Sequence, residues 1–222
     1  MIDLSPHRVA LAERIRVANV LVQETHPASG SSSPIARDTR GLVVLLLFAA
    51  YENALTATTR SLLETAAGLR VSARRLQPGF RVFAIASAAE SLRAVSEKKL
   101  FVKALPNLVG ILAGGEPVST INTDQFPNDG SYMKTSQIKV WADLFGVPSP
   151  EKLLLPVWQQ IDAIVAQRNG IAHGAQTPAE VGRNYSEAEI KNLISDWGVA
   201  WDGFLVEVER LASHRDFYRM PR

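Results

Sequence analysis

Cysteine is missing from all 222 residues, so neither a disulfide framework nor a thiolate-held metal is open to this chain. Histidine is scarce as well. His7, His26, His173 and His214 are the full set, widely spaced, and no His-Glu-x-x-His pattern occurs. A metal site is therefore not expected, and neither is any other cofactor. An excess of one charge is also lacking: 24 Lys and Arg stand against 22 Asp and Glu, a formal +2. So small a surplus does not by itself call for a nucleic-acid partner. The longest apolar run, Leu42–Tyr51, lies between Arg40 and Glu52 and is shorter than the roughly 20 residues that cross a bilayer. The opening MIDLSPHRVALAERIR carries acidic residues and no uninterrupted apolar segment, unlike a secretory signal. A cytoplasmic protein with no membrane partner is the expectation.

What is present is apolar and helical. Hydrophobic residues make up 46% of the chain, enough for one sizeable core, so residues 1–222 are read as a single domain. Ser5-Pro6, Ser33-Pro34, Ser149-Pro150 and Thr177-Pro178 each set a capping hydroxyl before a proline that tolerates the first helical turn. Thr177-x-x-Glu180 and Ser186-x-x-Glu189 fit the capping box. Alternating strand patterns are few, and the fold class expected is all-α. Helices are predicted over Pro6–Thr25, Pro34–Ala67, Phe80–Leu105 (stopped or kinked at Pro106), Ser136–Phe145, a run restarting at Pro156, and Glu187–Ser213. The middle of the second, LVVLLLFAAY, is apolar all round and marks a central buried helix. The last carries Ile190, Leu193, Ile194, Trp197, Trp201, Phe204, Leu205, Val208 and Leu211 at spacings of three and four. That stripe reads as core, with part of it open to pairing with a second subunit. Ala28–Ser33 is a Ser/Gly connector. Residues from about 113 to 131 form a long irregular excursion dense in Gly, Pro, Asn and Asp, either a substrate-guiding loop or a spacer. The excursion has no Lys-Ser/Thr ending and is not a phosphate-binding P-loop.

The chemistry concentrates in Pro156–Gln176, PVWQQIDAIVAQRNGIAHGAQ. An apolar helix runs into Arg168-Asn169-Gly170-Ile171-Ala172-His173-Gly174. Arg grips phosphate through two N–H groups, and His titrates near neutral pH, so the pair suits a site that holds a phosphate and moves a proton. In an unbroken helix, positions five apart diverge by about 140°. Gly170 is expected to loosen the backbone and Gly174 to serve as the C′ residue, letting the last turn bend both heads inward. Arg and His at a helix end can equally serve only the macrodipole and loose carbonyls.

The run from Ile164 to Gly174, IVAQRNGIAHG, resembles the signature of the HEPN superfamily of small helical ribonucleases, nearest to its RiboL-PSP and MAE-type branches. Phe48-Ala49-Ala50-Tyr51-Glu52 resembles that family's second helix, where an acidic residue follows small ones. Ser131–Lys134 through Leu144-Phe145-Gly146-Val147 resembles the short helix that precedes the motif helix. The resemblance implies a helical bundle acting as a homodimer, with two Arg-Asn-x-x-x-His elements facing one cleft at the two-fold axis. It implies RNA as substrate, His173 as base, Arg168 as phosphate clamp and Asn169 as an orienting hydrogen-bonder. Members often act in toxin–antitoxin or phage-defence systems, which would add an antitoxin or defence-system partner protein. Glu52 could support the arginine or simply bond a neighbouring helix terminus. The alternative is a non-catalytic HEPN-like module that binds RNA or protein and dimerises; a helical scaffold unrelated to RNA is a third reading. Three basic clusters (Arg70, Arg74, Arg75 and Arg81; Arg93, Lys98, Lys99 and Lys103; His214, Arg215, Arg219 and Arg222) are either solvated faces or tracks for a phosphate backbone.

Overall fold

Proline punctuation and a single very apolar helix organise the chain. The computed structural model describes residues 2–26, 33–93, 95–96, 99–114, 121–123, 126 and 133–221. Over these the protein is all-α. Its helices are α1 (Ser5–Thr25), α2 (Ala36–Gly68), α3 (Pro78–Ser91), α4 (Leu105–Ala113), α5 (Thr135–Phe145), α6 (Pro150–Leu153), α7 (Trp158–Ala172), α8 (Pro178–Gly182) and α9 (Glu187–Ala212). Short 3-10 turns occupy Ala73–Arg75 and Arg215–Phe217, and a π turn at Leu100–Ala104 leads into α4. Strand-like pairing among the described residues is limited to an isolated bridge between Leu76 and Arg219.

The helix starts divide by mechanism. Thr177 and Ser186 close reciprocal capping boxes: each hydroxyl accepts from the N–H of the Glu three residues on at 3.2 Å, and each Glu carboxylate accepts from the cap N–H at 2.7 Å. Those bonds hold the Glu180 and Glu189 carboxyls below the usual carboxylate range. At Ser5, Ser33 and Ser149 the hydroxyl caps nothing. At α1 and α6 proline alone serves, because its fixed φ already suits the first turn; Pro34 instead lies in the turn before α2, which starts at Ala36.

Helix α2 is the axis of the core. Val43, Val44, Leu47, Phe48, Tyr51, Leu55, Leu62 and Leu63 on it are all buried, and α1, α7, α8 and α9 pack around it. By length and composition α2 could cross a membrane, but 56% of its apolar window is buried inside the protein, as a core helix's would be. The aromatic stripe of α9 closes over it. Trp201 stacks on Tyr51 with centroids 5.0 Å apart, and the Trp197 Nε1–H donates to the Leu47 carbonyl at 3.1 Å. Trp197 and Trp201 are fully buried, so the stripe is core, and its tryptophan face has no area left for a second subunit.

Two expectations need correction. The third helix ends at Ser91 instead of running to Leu105, and Pro106 stands in the first turn of α4, where it starts a helix instead of stopping one. The piece Leu100–Ala113 rides outside the bundle; Ala104 is its one buried residue, while Phe101, Val102 and Val109 are exposed. Within the excursion, Ile121 and Phe126 insert into the core, so it is anchored at those points. Most of the rest of that stretch, the 28–32 connector, Ser131 and Tyr132, and Lys98 and Arg222 of the basic clusters lie outside the described residues.

Candidate functional site

The site is built at the C-terminal end of α7. Arg168 turns toward α2 and lays its guanidinium over the Phe48 ring, with Cζ 4.5 Å from the centroid. A cation over a ring face is held there by the ring quadrupole, worth on the order of 1 kcal/mol. The same guanidinium donates from Nη1 to Asn169 Oδ1 at 3.0 Å. This uses one of its N–H groups and leaves the rest of the fork free, since no carboxylate among the described residues pairs with it. Arg168 and Asn169 are half-buried, and His173 is exposed.

His173 is the C-cap of α7, and its N–H donates to the Asn169 carbonyl at 3.0 Å. Gly174 follows with φ +71, the left-handed C′ residue expected there. The Ala175 and Gln176 N–H groups then return to the Gly170 carbonyl at 2.9 and 3.0 Å. The expected loosening at Gly170 does not occur. Helix α7 runs through that residue unbroken, and its missing Cβ makes room for the Gln176 side chain folding back over it. The helix therefore keeps its geometric divergence: Arg168 faces α2, His173 faces outward, and no side-chain hydrogen bond joins them among the described residues.

Three further contacts hold this helix end. Asp162, on α7, caps the start of α5: its carboxylate accepts from the Thr135 N–H and hydroxyl, both at 2.8 Å. Gln167 Oε1 accepts from the Tyr185 hydroxyl at 2.7 Å, tying α7 to the turn before α9. Just beyond the motif, α8 lies backbone to backbone on α2. A Cβ at Gly41 would collide with the Pro178 carbonyl, and one at Gly182 with the Arg37 carbonyl.

Tyr51 sits beneath the site and donates from its hydroxyl to the Met133 carbonyl at 3.0 Å. Burial pushes its phenol far above the ordinary range; Glu52 and Asp162 push the same way, while Arg168 opposes them. Arg168, Asp162 and Glu52 thus share one electrostatic neighbourhood around a buried phenol. Glu52 is half-buried, one helical turn after the ring that carries Arg168.

The sequence pointed to Arg168, Asn169, His173 and Glu52 as candidates, and did not point to Phe48 as the platform, Asp162 as a cap, or Gln176 as the side chain filling the space at Gly170. Only the first left a signal, an aromatic residue one turn before the acidic residue on the central helix. Among the described residues, no group of three or more His, Asp or Glu stands close enough to share a metal ion. Arg168, Asn169 and His173 line none of four cavities formed by described residues. The widest, about 670 Å³, lies between α1 and α9 with Arg8, Ile15, Asn19, Gly198 and Asp202 on its walls; the others measure about 370, 290 and 490 Å³. Compared with protein-family models, curated proteins and solved structures, the chain matches none.

Proposed function

We propose that this protein is a metal-independent endoribonuclease of HEPN type. The observation that carries the reading is the state of Arg168: stacked on Phe48, steadied by Asn169, unpaired with any described carboxylate, and at the same helix end as an exposed His173. A guanidinium fixed in plane with free N–H groups suits a phosphodiester, which it would meet bidentately. RNA brings its own nucleophile. The enzyme's share is to take the proton from a ribose 2′-hydroxyl and to stabilise negative charge on the phosphorane. In this reading His173 is the base, Arg168 holds the phosphate, and Asn169 fixes the guanidinium.

Because Arg168 and His173 face different ways within one chain, the site is completed across a two-fold axis. The histidine of one protomer works opposite the arginine of the other, as the resemblance of the motif to that superfamily implies. A toxin–antitoxin or phage-defence setting, with a partner protein that restrains the activity, belongs to the same reading. The divergence of the two side chains also supports the second reading, a non-catalytic dimerisation module that binds RNA or protein.

Purified protein incubated with total RNA and with tRNA in EDTA tests the choice. Wild type should cut, and the Arg168→Ala and His173→Ala variants should not. Intact RNA in every lane, with the wild-type protein folded and binding RNA, would leave only the binding module.

A further inference from the structure

At the far end of α2 from the motif, the fold brings together two basic clusters that are 140 residues apart in sequence. The chain's tail folds back on the segment after α2. The Gln77 N–H donates to the Tyr218 carbonyl at 2.8 Å, the Met220 N–H to the Arg75 carbonyl at 2.8 Å, and Leu76 bridges Arg219. Arg81 ties the same corner, donating from Nη2 to the Arg74 and Leu76 carbonyls at 3.0 and 3.1 Å. The result is a cavity of about 490 Å³ lined by Arg75, Arg215, Asp216, Arg219 and Pro221.

Three arginines line this cavity against a single carboxylate, Asp216, and none of the three forms an ion pair or side-chain hydrogen bond among the described residues. Arg8, Arg16 and Arg210 do have carboxylate partners, in Asp202, Glu13 and Glu207; what sets the cavity apart is that three unpaired arginines share one space. Three positive groups and one negative one leave the lining with a net positive charge, and an anion offsets what Asp216 does not. The lining contains no aromatic ring to stack a base and no apolar wall beyond Pro221, so it reads charge and not base identity. Arg74, in the same short turn as Arg75, and Arg70 are also exposed, so the local excess of positive charge is larger than the cavity's own, which suits a chain of phosphates better than a single one.

We propose that this cavity binds the phosphodiester backbone of a single-stranded nucleic acid without regard to sequence. The choice of RNA as the natural strand rests on the proposed nuclease reading; the phosphate chemistry does not. Phe48, which carries Arg168, and the C-terminal end of α2 are 20 residues apart, about 30 Å along the helix. A strand held at the cavity could therefore span from anchor to motif, and the anchor would raise affinity for long substrates while leaving short ones unaffected.

The test is fluorescence anisotropy with a labelled 2′-O-methyl RNA 12-mer and a DNA 12-mer, neither of which can undergo 2′-hydroxyl attack. Binding is thus read whether or not the protein is a nuclease. An Arg75→Ala/Arg215→Ala/Arg219→Ala triple variant is compared with Arg16→Ala/Lys191→Ala/Arg210→Ala, which removes the same charge at exposed, ion-paired positions. Wild type should bind both strands. The cavity variant should weaken binding about a hundredfold at 0.1 M salt, with a log–log salt slope shallower by about 2, and the control should stay near wild type. Arg215→Gln alone, at an exposed side chain, gives a smaller loss of the same kind and covers the case in which the triple variant fails to fold. Equal losses in both triples, wild-type affinity in Arg215→Gln and the cavity variant, or binding confined to anionic lipid vesicles would overturn the proposal. If the strands bind through this cavity but RNA is never cut, the anchor stands and the nuclease reading falls.

Discussion

At the scale of single residues, the guanidinium on Phe48 decides the reading of the site. Lysine at that position would keep the charge but lose both the planar stack and the fork that meets two phosphate oxygens. Arg168→Lys should therefore cut the rate about 10²–10³-fold with the helical circular-dichroism signal unchanged. A rate within a few-fold of wild type would mean that a point charge suffices. His173→Ala should lose about 10²–10⁴-fold, the usual contribution of a positioned base. His7 offers a check on stability instead of activity. It is half-buried with Nε2 2.8 Å from the Ser61 hydroxyl, and burial lowers its pKa from 6.5, with Asp3 and Glu64 opposing. Below 6.5 the unfolded chain takes up this proton more readily than the folded one. The stabilisation is thus complete above that value and lost as pH falls through it toward the lowered folded-state value. Thermal melts at pH 7.5 and 5.5 should show a smaller drop for His7→Gln than for wild type; identical drops would remove His7 from the pH dependence.

At the scale of elements, α8 follows the motif end of α7 and lies backbone to backbone on α2. Gly182→Ala forces a methyl into the Arg37 carbonyl and should cost about 1–3 kcal/mol, read as a lower melting temperature. Gly203 in α9 is exposed, with nothing near its would-be Cβ. Gly203→Ala should stabilise by about 0.5–1 kcal/mol through helix propensity alone. Both melting in the same direction would refute the packing argument. The same contrast explains what the sequence disclosed. Capping boxes at Thr177 and Ser186 and the stripe of α9 were legible, because each is a local pattern with one structural meaning. Leu100–Ala113 was not, because an apolar run says nothing of whether it is covered. Gly170 was misread for a similar reason: glycine marks either backbone freedom or space for a neighbour, and here it is space for Gln176. Phe48 under Arg168 is a contact across 120 residues that no local pattern announces.

At the scale of the whole molecule, the two ends of α2 carry different chemistry, the Arg168–Asn169 pair near one and the unpaired arginines near the other. The proposed composite site requires two chains. Light scattering at micromolar concentration should therefore give about twice 24.2 kDa, and a strict monomer would leave each His173 without an opposing arginine. Trp197 and Trp201 are spent on the core, so the proposed pairing would use the exposed end of α7 instead of the tryptophan face. Replacing Trp201 by Ala should then unfold the monomer, at about 3–5 kcal/mol, and not merely part a dimer.

The most direct measurement is cleavage of an RNA oligonucleotide carrying one 2′-deoxy nucleotide at a mapped cut site, in EDTA, with end-group analysis of the products. If the substrate's own hydroxyl attacks the adjacent phosphorus, that cut alone disappears, while the remaining cuts leave a 2′,3′-cyclic phosphate and a 5′-hydroxyl. Cleavage at the deoxy position, or activity that vanishes in chelator and returns with magnesium, would contradict the mechanism even in a protein that proves to be a nuclease.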